Sequence, residues 1–333
     1  MRGIARVRFV TVAVVLAVVG AACSSVGGPA GKPVTSFPEK QITLINPNAP
    51  GGGTDIMFRS IDAISQKIKA FPHAFVIETK TGGSGSVGKA AALAAKPDGY
   101  TLTVADDGNI YQQLGGDQPF KYNDFSYISR MVVDYNLVVV RAESPFKTFK
   151  DLADAAKTKP KGVSIAGTGI GNTDQLQMVQ IGKSLGTEFT YASFNSGGEV
   201  MTNLLGGHVD GAMANPSEAW EQMRAGRVRA LVITSPDRLK DLPDVPTLKE
   251  SGVNLVMQQY RGIAGPKNLP AEVVKALEDG FKKVSDSPEW KAEYLDKYQQ
   301  TNGYMNGSEL ATYMDELYKE NQTLFKELGM LKE

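Results

Sequence analysis

Ten residues, Asn46-Pro-Asn-Ala-Pro-Gly-Gly-Gly-Thr-Asp55, stand out as able to do chemistry. An apolar run, Gln41 to Ile45, precedes them, and Met57, Ile61, Ile64 and Ile68 follow at the spacing of one helix face. The glycines therefore deliver the chain from a strand into a helix N-terminus. Three glycines remove the Cβ atoms that keep a ligand off the backbone, and the first N–H groups of a helix have no intrahelical partner. Together these make a pocket for an anion. A second copy follows: a strand from Lys161 to Ala166, the turn Gly167-Thr-Gly-Ile-Gly-Asn-Thr-Asp174, and a helix carrying Leu176, Met178, Ile181 and Leu185. Both turns end in Thr-Asp, where the hydroxyl of Thr54 or Thr173 is expected to cap the helix and the acid suits its dipole. Two such turns, far apart in sequence, predict two lobes facing one ligand.

Other chemistries fit less well. Gly83-Ser-Gly-Ser-Val-Gly88 satisfies G-x-G-x-x-G, and Asp106 ends the next strand where a ribose-binding acid belongs, so a dinucleotide enzyme is the rival reading. Against it, the polar residues Glu78 to Thr81 separate strand from glycines, and an exported protein meets no cytoplasmic cofactor pool. The same glycines lead into Lys89 as in a phosphate-binding loop, but Ala90 stands where magnesium needs Ser or Thr. His73 and His208 each lack a second ligand at metal spacing. No Gly-x-Ser-x-Gly elbow occurs. Asp106 and Asp107 are adjacent, so on a strand they face opposite sides and make a poor acid–base pair. No catalytic group, cofactor or metal is expected.

The elements that position the turns follow an α/β alternation. Ala74 to Glu78 reads as a strand, Lys89 to Ala95 as a helix, Pro97-Asp-Gly99 as a turn and Tyr100 to Ala105 as a strand. Met131 to Arg141 reads as one long β-branched run, and a new unit opens at Ser144-Pro145 with a helix over Phe149 to Ala156. Next come the strand Tyr191 to Phe194, the turn Asn195-Ser-Gly-Gly-Glu199 and its helix to Leu205. Gly211 to Ala214 and Ala230 to Thr234 read as strands around a helix from Ser217 to Ala225. Leu255 to Gly265 reads as a return crossing, and the remainder as helical, with Leu310, Met314 and Leu317 packing on the first lobe.

Before these elements, Arg2, Arg6 and Arg8 precede an apolar stretch, Phe9 to Ala22, too short to span a membrane and suited to a signal peptide. The lone cysteine, Cys23, follows Val19-Gly-Ala-Ala22, an arrangement that resembles a bacterial lipoprotein signal and implies lipidation at Cys23. Residues 1–22 are expected to be removed and 23–36, rich in Gly, Ser and Pro, to form a lipid-anchored tether reaching on the order of 20 Å. Losing three arginines from 36 basic against 36 acidic residues leaves a net negative chain, which argues against a nucleic-acid surface. One cysteine excludes an internal disulfide.

The stretch Phe37-Pro-Glu-Lys-Gln-Ile-Thr-Leu-Ile-Asn46 with its glycine turn resembles the opening of the TctC/Bug family, the substrate-binding receptors of tripartite tricarboxylate transporters. Glu78 to Gly88, Lys96-Pro-Asp-Gly-Tyr-Thr-Leu102, Asn195 to Gly198 and Leu204-Leu-Gly-Gly-His-Val-Asp210 continue the likeness. So do Ala225-Gly-Arg-Val-Arg-Ala-Leu231 and Leu242-Pro-Asp-Val-Pro-Thr-Leu248. The resemblance implies a two-lobed α/β fold of the type II periplasmic-binding-protein kind, with the ligand in a cleft between lobes. It implies lobe 1 over 37–141 plus 256–333 and lobe 2 over 142–255. Its function would be to capture a small organic carboxylate by lobe closure and deliver it, as a monomer, to large and small membrane subunits from the periplasm or cell surface. Carried over, the ligand-binding residues are Ala49, Gly51, Gly52, Thr54 and Asp55 in lobe 1 and Gly169, Asn172 and Thr173 in lobe 2. Asn195, Gly197, Gly198, Asn215 and Tyr260 line the same cleft.

Two departures bear on the ligand. Asn48 stands where an aromatic is common, and Asp106-Asp107 where small hydroxyl residues are frequent. An acid facing the cleft disfavours a polyanion and points to a mono- or dicarboxylate, or to a ligand with an amino group. The other reading leaves both acids solvated at the rim. A carboxylate sensor with a signalling partner is the remaining alternative.

Overall fold

The structure, a computed structural model, describes residues 37–116 and 118–332. The expected signal segment, tether and Cys23 lie outside them. The chain starts with β1 (Thr43–Asn46), α1 (Gly53–Ile68), β2 (Val76–Thr79), α2 (Ser86–Leu93), β3 (Thr101–Asp106) and α3 (Gly108–Leu114). β1 pairs in parallel with both β2 and β3, which the intervening helices make possible. α1 buries Met57, Phe58, Ile61 and Ile64 on one face and stops at Lys69 in the left-handed region, φ 53°. Then β4 (Phe125–Tyr135) runs through the first sheet and β5 (Leu137–Arg141) through a second.

The second sheet is assembled from α4 (Phe149–Thr158), β6 (Ser164–Thr168), α5 (Thr173–Leu185), β7 (Thr190–Phe194), α6 (Gly197–Leu205), β8 (Gly211–Ala214), α7 (Pro216–Arg224) and β9 (Val228–Ile233). β10 (Gln258–Pro266) returns to the first sheet, followed by α8 (Ala271–Ser285), α9 (Pro288–Trp290), β11 (Thr301–Asn306) and α10 (Gly307–Glu327). The strand orders are β11-β4-β10-β3-β1-β2 and β7-β6-β8-β5-β9.

Each sheet is covered on both faces, the arrangement that mixed α/β sheets require. On the first, Phe58, Leu277, Phe281 and Trp290 fill one side, while Ile110, Leu310, Met314 and Phe325 fill the other. On the second, Leu152, Ile165 and Met178 pack on one side, and Val200, Leu204 and Ala219 on the other. Leu310 and Met314 thus bury against the first sheet, as their spacing predicts.

Three expectations need correction. Met131 to Arg141 is two strands on different sheets, broken at Asn136. Both halves are largely buried on both faces and read as apolar runs, and Asp134-Tyr135-Asn136 between them is too short an interruption to part them by period. The tail also contains a strand: β11 is polar, pairs only with β4 and carries a bulge between Asn302 and Met305, features of an edge strand that leave little period-2 signal. Finally, Thr54 and Thr173 do not cap their helices; Gly52 and Asn172 hold the N-cap positions without a side-chain bond.

Asn136, fully buried, marks the crossing between sheets. Its N–H donates to Thr234 Oγ1 at 3.0 Å and its carbonyl accepts from the Thr234 N–H at 2.9 Å. Its Nδ2 donates to Asp174 Oδ1 (2.8 Å) and Gln177 Oε1 (3.0 Å). Its Oδ1 accepts from Asn215 Nδ2 (2.6 Å) and Gln259 Nε2 (2.9 Å). The Thr234 carbonyl in turn accepts from Met257 N, where the chain returns, at 3.0 Å. Removing the amide strands several buried partners at about 1–3 kcal/mol each, so Asn136→Ala is expected to cost about 3 kcal/mol or more. Urea midpoints check this; a loss under about 0.5 kcal/mol, the scale of a surface substitution, would contradict it.

Candidate functional site

The turns after β1 and β6 meet across the gap between the sheets and line one cavity of about 70 Å³. Interlobe bonds close it: Ala49 N donates to Asn195 O at 3.3 Å, Ile170 N to Ser84 Oγ at 2.9 Å, and Gln112 Nε2 to Asn172 Oδ1 at 2.6 Å. Of the residues predicted from sequence, Gly52, Thr54, Asn172, Thr173, Gly197, Asn215 and Tyr260 line the cavity.

The others stand behind the wall. Asp55 Oδ2 accepts from Gly51 N at 3.1 Å and from Arg59 Nε at 2.9 Å, tying the first turn to its helix. Asp174 does the same in the second, accepting from Thr168 N at 2.8 Å. The paired acids fold the turns back on themselves. Gly169 N donates to Phe194 O at 2.9 Å. Gly198 lies against the first turn, where an added Cβ would sit 3.2 Å from Pro50 O. Ala49 and Asn195 are joined to each other.

Four charged residues in the wall were not picked out from sequence as ligand contacts: Lys89, Asp174, Glu218 and Arg261. Lys89 Nζ donates to Asp106 Oδ1 at 2.6 Å, the lysine side chain 3% and the aspartate 23% exposed. Asp106 therefore faces the cleft, as one of the two sequence readings has it, and is not solvated at the rim; its pairing with Lys89 is what neither reading foresaw. Asp107 is not part of the cavity wall and is buried; burial, with Asp106 adding to it, pushes its carboxyl well above the usual range. Arg261 faces Asp106 across the β3–β10 ladder and bonds Asp134 and Asn215 Oδ1. Burial opposes its charge, and Asp134, Tyr294 and Glu218 together more than offset that. An arginine inside an apolar return strand is the signal that could have found it. His73 and His208 are exposed.

Glu218 alters the picture of bare helix amides. It completes a capping box with Asn215, Oε2 accepting from Asn215 N at 3.0 Å, while Oε1 accepts from Gly53 N of α1 at 2.9 Å. One carboxylate from the second sheet thus occupies the first N–H of a helix on the first. The Asn215-Pro-Ser-Glu218 spacing announces the cap; its reach across the cleft is a tertiary fact. Burial raises the Glu218 carboxyl to about 7, with Asp174 adding to the rise and Arg261 and the two amides opposing it. Asp174 is also raised by burial.

Two three-layer α/β units closed on a polar cleft make this a two-lobed solute-binding protein. The chain belongs to the family described as "Tripartite tricarboxylate transporter family receptor", matched over residues 57–330. The UPF0065 protein in gbd 5'region of Cupriavidus necator is 31% identical over 91% of this chain and 92% of its own length. The periplasmic binding protein BugD superposes with a TM-score of 0.82 at 25% identity, covering 89% of this chain and 100% of its own. An R. palustris protein solved with adipate has the same fold, with TM-score 0.82, 22% identity and coverage of 88% and 99%. The family is one of receptors and BugD is a periplasmic binding protein, and the chain is a solute-binding receptor. Among the described residues no helix is long and apolar enough to cross a membrane, and the family membership fits an extracytoplasmic place.

The Glu218 shift carries a pH prediction. A carboxyl whose folded pKa, about 7, exceeds its ordinary 4.5 adds stability that is full below 4.5 and lost as pH rises through about 7. The effect is at most on the order of 3 kcal/mol. Wild-type urea stability is expected to fall between pH 5 and 7.5 by more than that of Glu218→Gln; equal slopes would show that this carboxyl titrates normally.

Proposed function

We propose that the protein captures a small organic carboxylate outside the cytoplasm and delivers it to the membrane subunits of a tripartite transporter, held near them by a lipid on Cys23. The carrying observation is the convergence of two glycine turns, one per lobe, on a single cavity that also holds a buried lysine. Gly52, Thr54, Asn172, Thr173 and Gly197 would offer amides and hydroxyls, Lys89 a charge, and Asn215 and Tyr260 the floor. The lobes, close to the ranges 37–141 with 256–333 and 142–255, would open and shut about the crossings at Asn136 and Met257.

Four or five charge-assisted hydrogen bonds at roughly 1.5–3 kcal/mol each, less the cost of association and closure, leave about 8 kcal/mol, a micromolar affinity. Thermal-shift screening of the protein without residues 1–23, which keeps every described residue, tests this against carboxylates and phosphates. A carboxylate at a hundred times its dissociation constant should add about 2.7 kcal/mol. At Gly52 a Cβ would already touch Gly197 N and Ser196 Cβ at 3.4 Å, so the branches of valine reach into the second lobe. Gly52→Val is expected to weaken binding about a hundredfold or more, and Thr54→Ala about fivefold, the loss of one hydrogen bond. Wild-type affinity in both variants would move the site elsewhere.

A further inference from the structure

We infer that the preferred ligand carries a cationic nitrogen as well as its carboxylate, and that Asp106, set beside Lys89, is the residue that selects for it. The inference rests on the carboxylate-receptor reading and names its substrate class as zwitterionic.

The argument is a charge balance on the cavity wall. Two cations, Lys89 and Arg261, face three carboxylates, Asp106, Asp174 and Glu218, and a fourth, Asp134, stands directly behind Arg261. With Arg261 satisfied by Asp134, and Lys89 by Asp106, the ionised cleft retains the negative charges of Asp174 and Glu218. Bringing in a dicarboxylate would add two more in a poorly solvated space, where unpaired charge is costly. Burial is the main cause that raises the Glu218 and Asp174 carboxyls, a mark of how poorly solvated that space is. A zwitterion adds no net charge.

The wall also fixes where each end goes. Glu218 spends both oxygens on amides, and Asp174 both on Thr168 N and Asn136 Nδ2. Neither has an oxygen without a partner. Asp106, among the described residues, accepts one hydrogen bond, from Lys89, and at 23% exposure keeps an oxygen for an incoming ammonium. Lys89 has three protons and gives one to Asp106. A ligand ammonium on Asp106 and a ligand carboxylate on Lys89 and the nearby helix amides would complete an alternating ring of four charges, each beside two of opposite sign. Asp106 ends β3, a parallel strand of the sheet, and the carboxyl ends of such strands are where α/β sheets hold ligands.

Matched pairs that differ only in the amino group test the idea by calorimetry: aspartate with succinate, glutamate with glutarate, alanine with propionate, 4-aminobutyrate with butyrate. At least one amino member should bind tenfold or more tightly than its partner. Asp106→Asn should cut that ratio below threefold and, by releasing Lys89 from its ion pair, tighten the deaminated partner, a gain that a merely structural residue would not produce. If deaminated partners bind the wild type as tightly as or more tightly than their amino counterparts, the inference is overturned and the carboxylate-receptor reading stands. If no carboxylate of either kind binds, both are overturned. The wild-type comparison decides even if the variant fails to fold.

Discussion

The structure depends on one constraint: polar backbone and side chains must be buried where the chain passes between two sheets, and each must find a partner there. Asn136 meets it by using its N–H, its carbonyl and all four hydrogen-bonding positions of its amide. The partners come from α5, from the start of α7, from the end of β9 and from β10. One side chain therefore sets the register between the crossing strands and two of the helices whose starts face the cleft. An unpaired buried polar group costs more than a made bond returns, so a satisfied hub of this kind allows few alternative arrangements.

The same logic governs the helix starts. Sequence reasoning treats their amides as open to a ligand, yet the protein supplies part of the anion itself. Asp55 takes Gly51 N, Asp174 takes Thr168 N, and Glu218 takes Gly53 N from across the gap. The two acids within the turns hold the glycine loops in shape. Glu218 acts between lobes: its carboxylate presses on Gly197, where any Cβ would collide with it. What remains for a solute is narrower than a bare helix terminus, a small cavity lined by more carboxylates than cations, and that narrowness makes the Lys89–Asp106 pair matter.

Much of this was legible in the chain. The strand–glycine–helix units from β1 to α1 and from β6 to α5 announce themselves through apolar period and turn residues, because both signals are local. The family likeness orders the rest. The crossing at Asn136 was hidden because the runs Met131 to Val133 and Leu137 to Val140 on either side are both apolar and buried, and the polar break between them is only three residues long. β11 was hidden because an edge strand need not alternate. Lys89 sat in plain view within a phosphate-loop pattern, but its meaning lies in Asp106, which a different strand brings to it. Arg261 and Glu218 were missed for the same reason: pairing across a cleft is a property of the fold and leaves no spacing to count.

The mouth of the cleft is lightly held. The bonds that join the lobes at the cleft mouth, among them Ala49 to Asn195 and Ile170 to Ser84, are neutral and near solvent, each worth about 0.5–1.5 kcal/mol net of water. Ser84 makes its contact from a loop in which Gly82, Gly83, Ser84 and Gly85 all have positive φ, a conformation that taxes the one residue with a side chain. At the mouth a few such bonds stand against a strained loop; deeper in, Glu218 on Gly53 N and Arg261 on Asn215 are the charged contacts that also join the lobes. A solute that contacts both lobes needs only a few kcal/mol of differential affinity to shift the population to the shut form. The hub at Asn136 lies at the crossing, away from this mouth, so the lobes can part there while the joint stays intact.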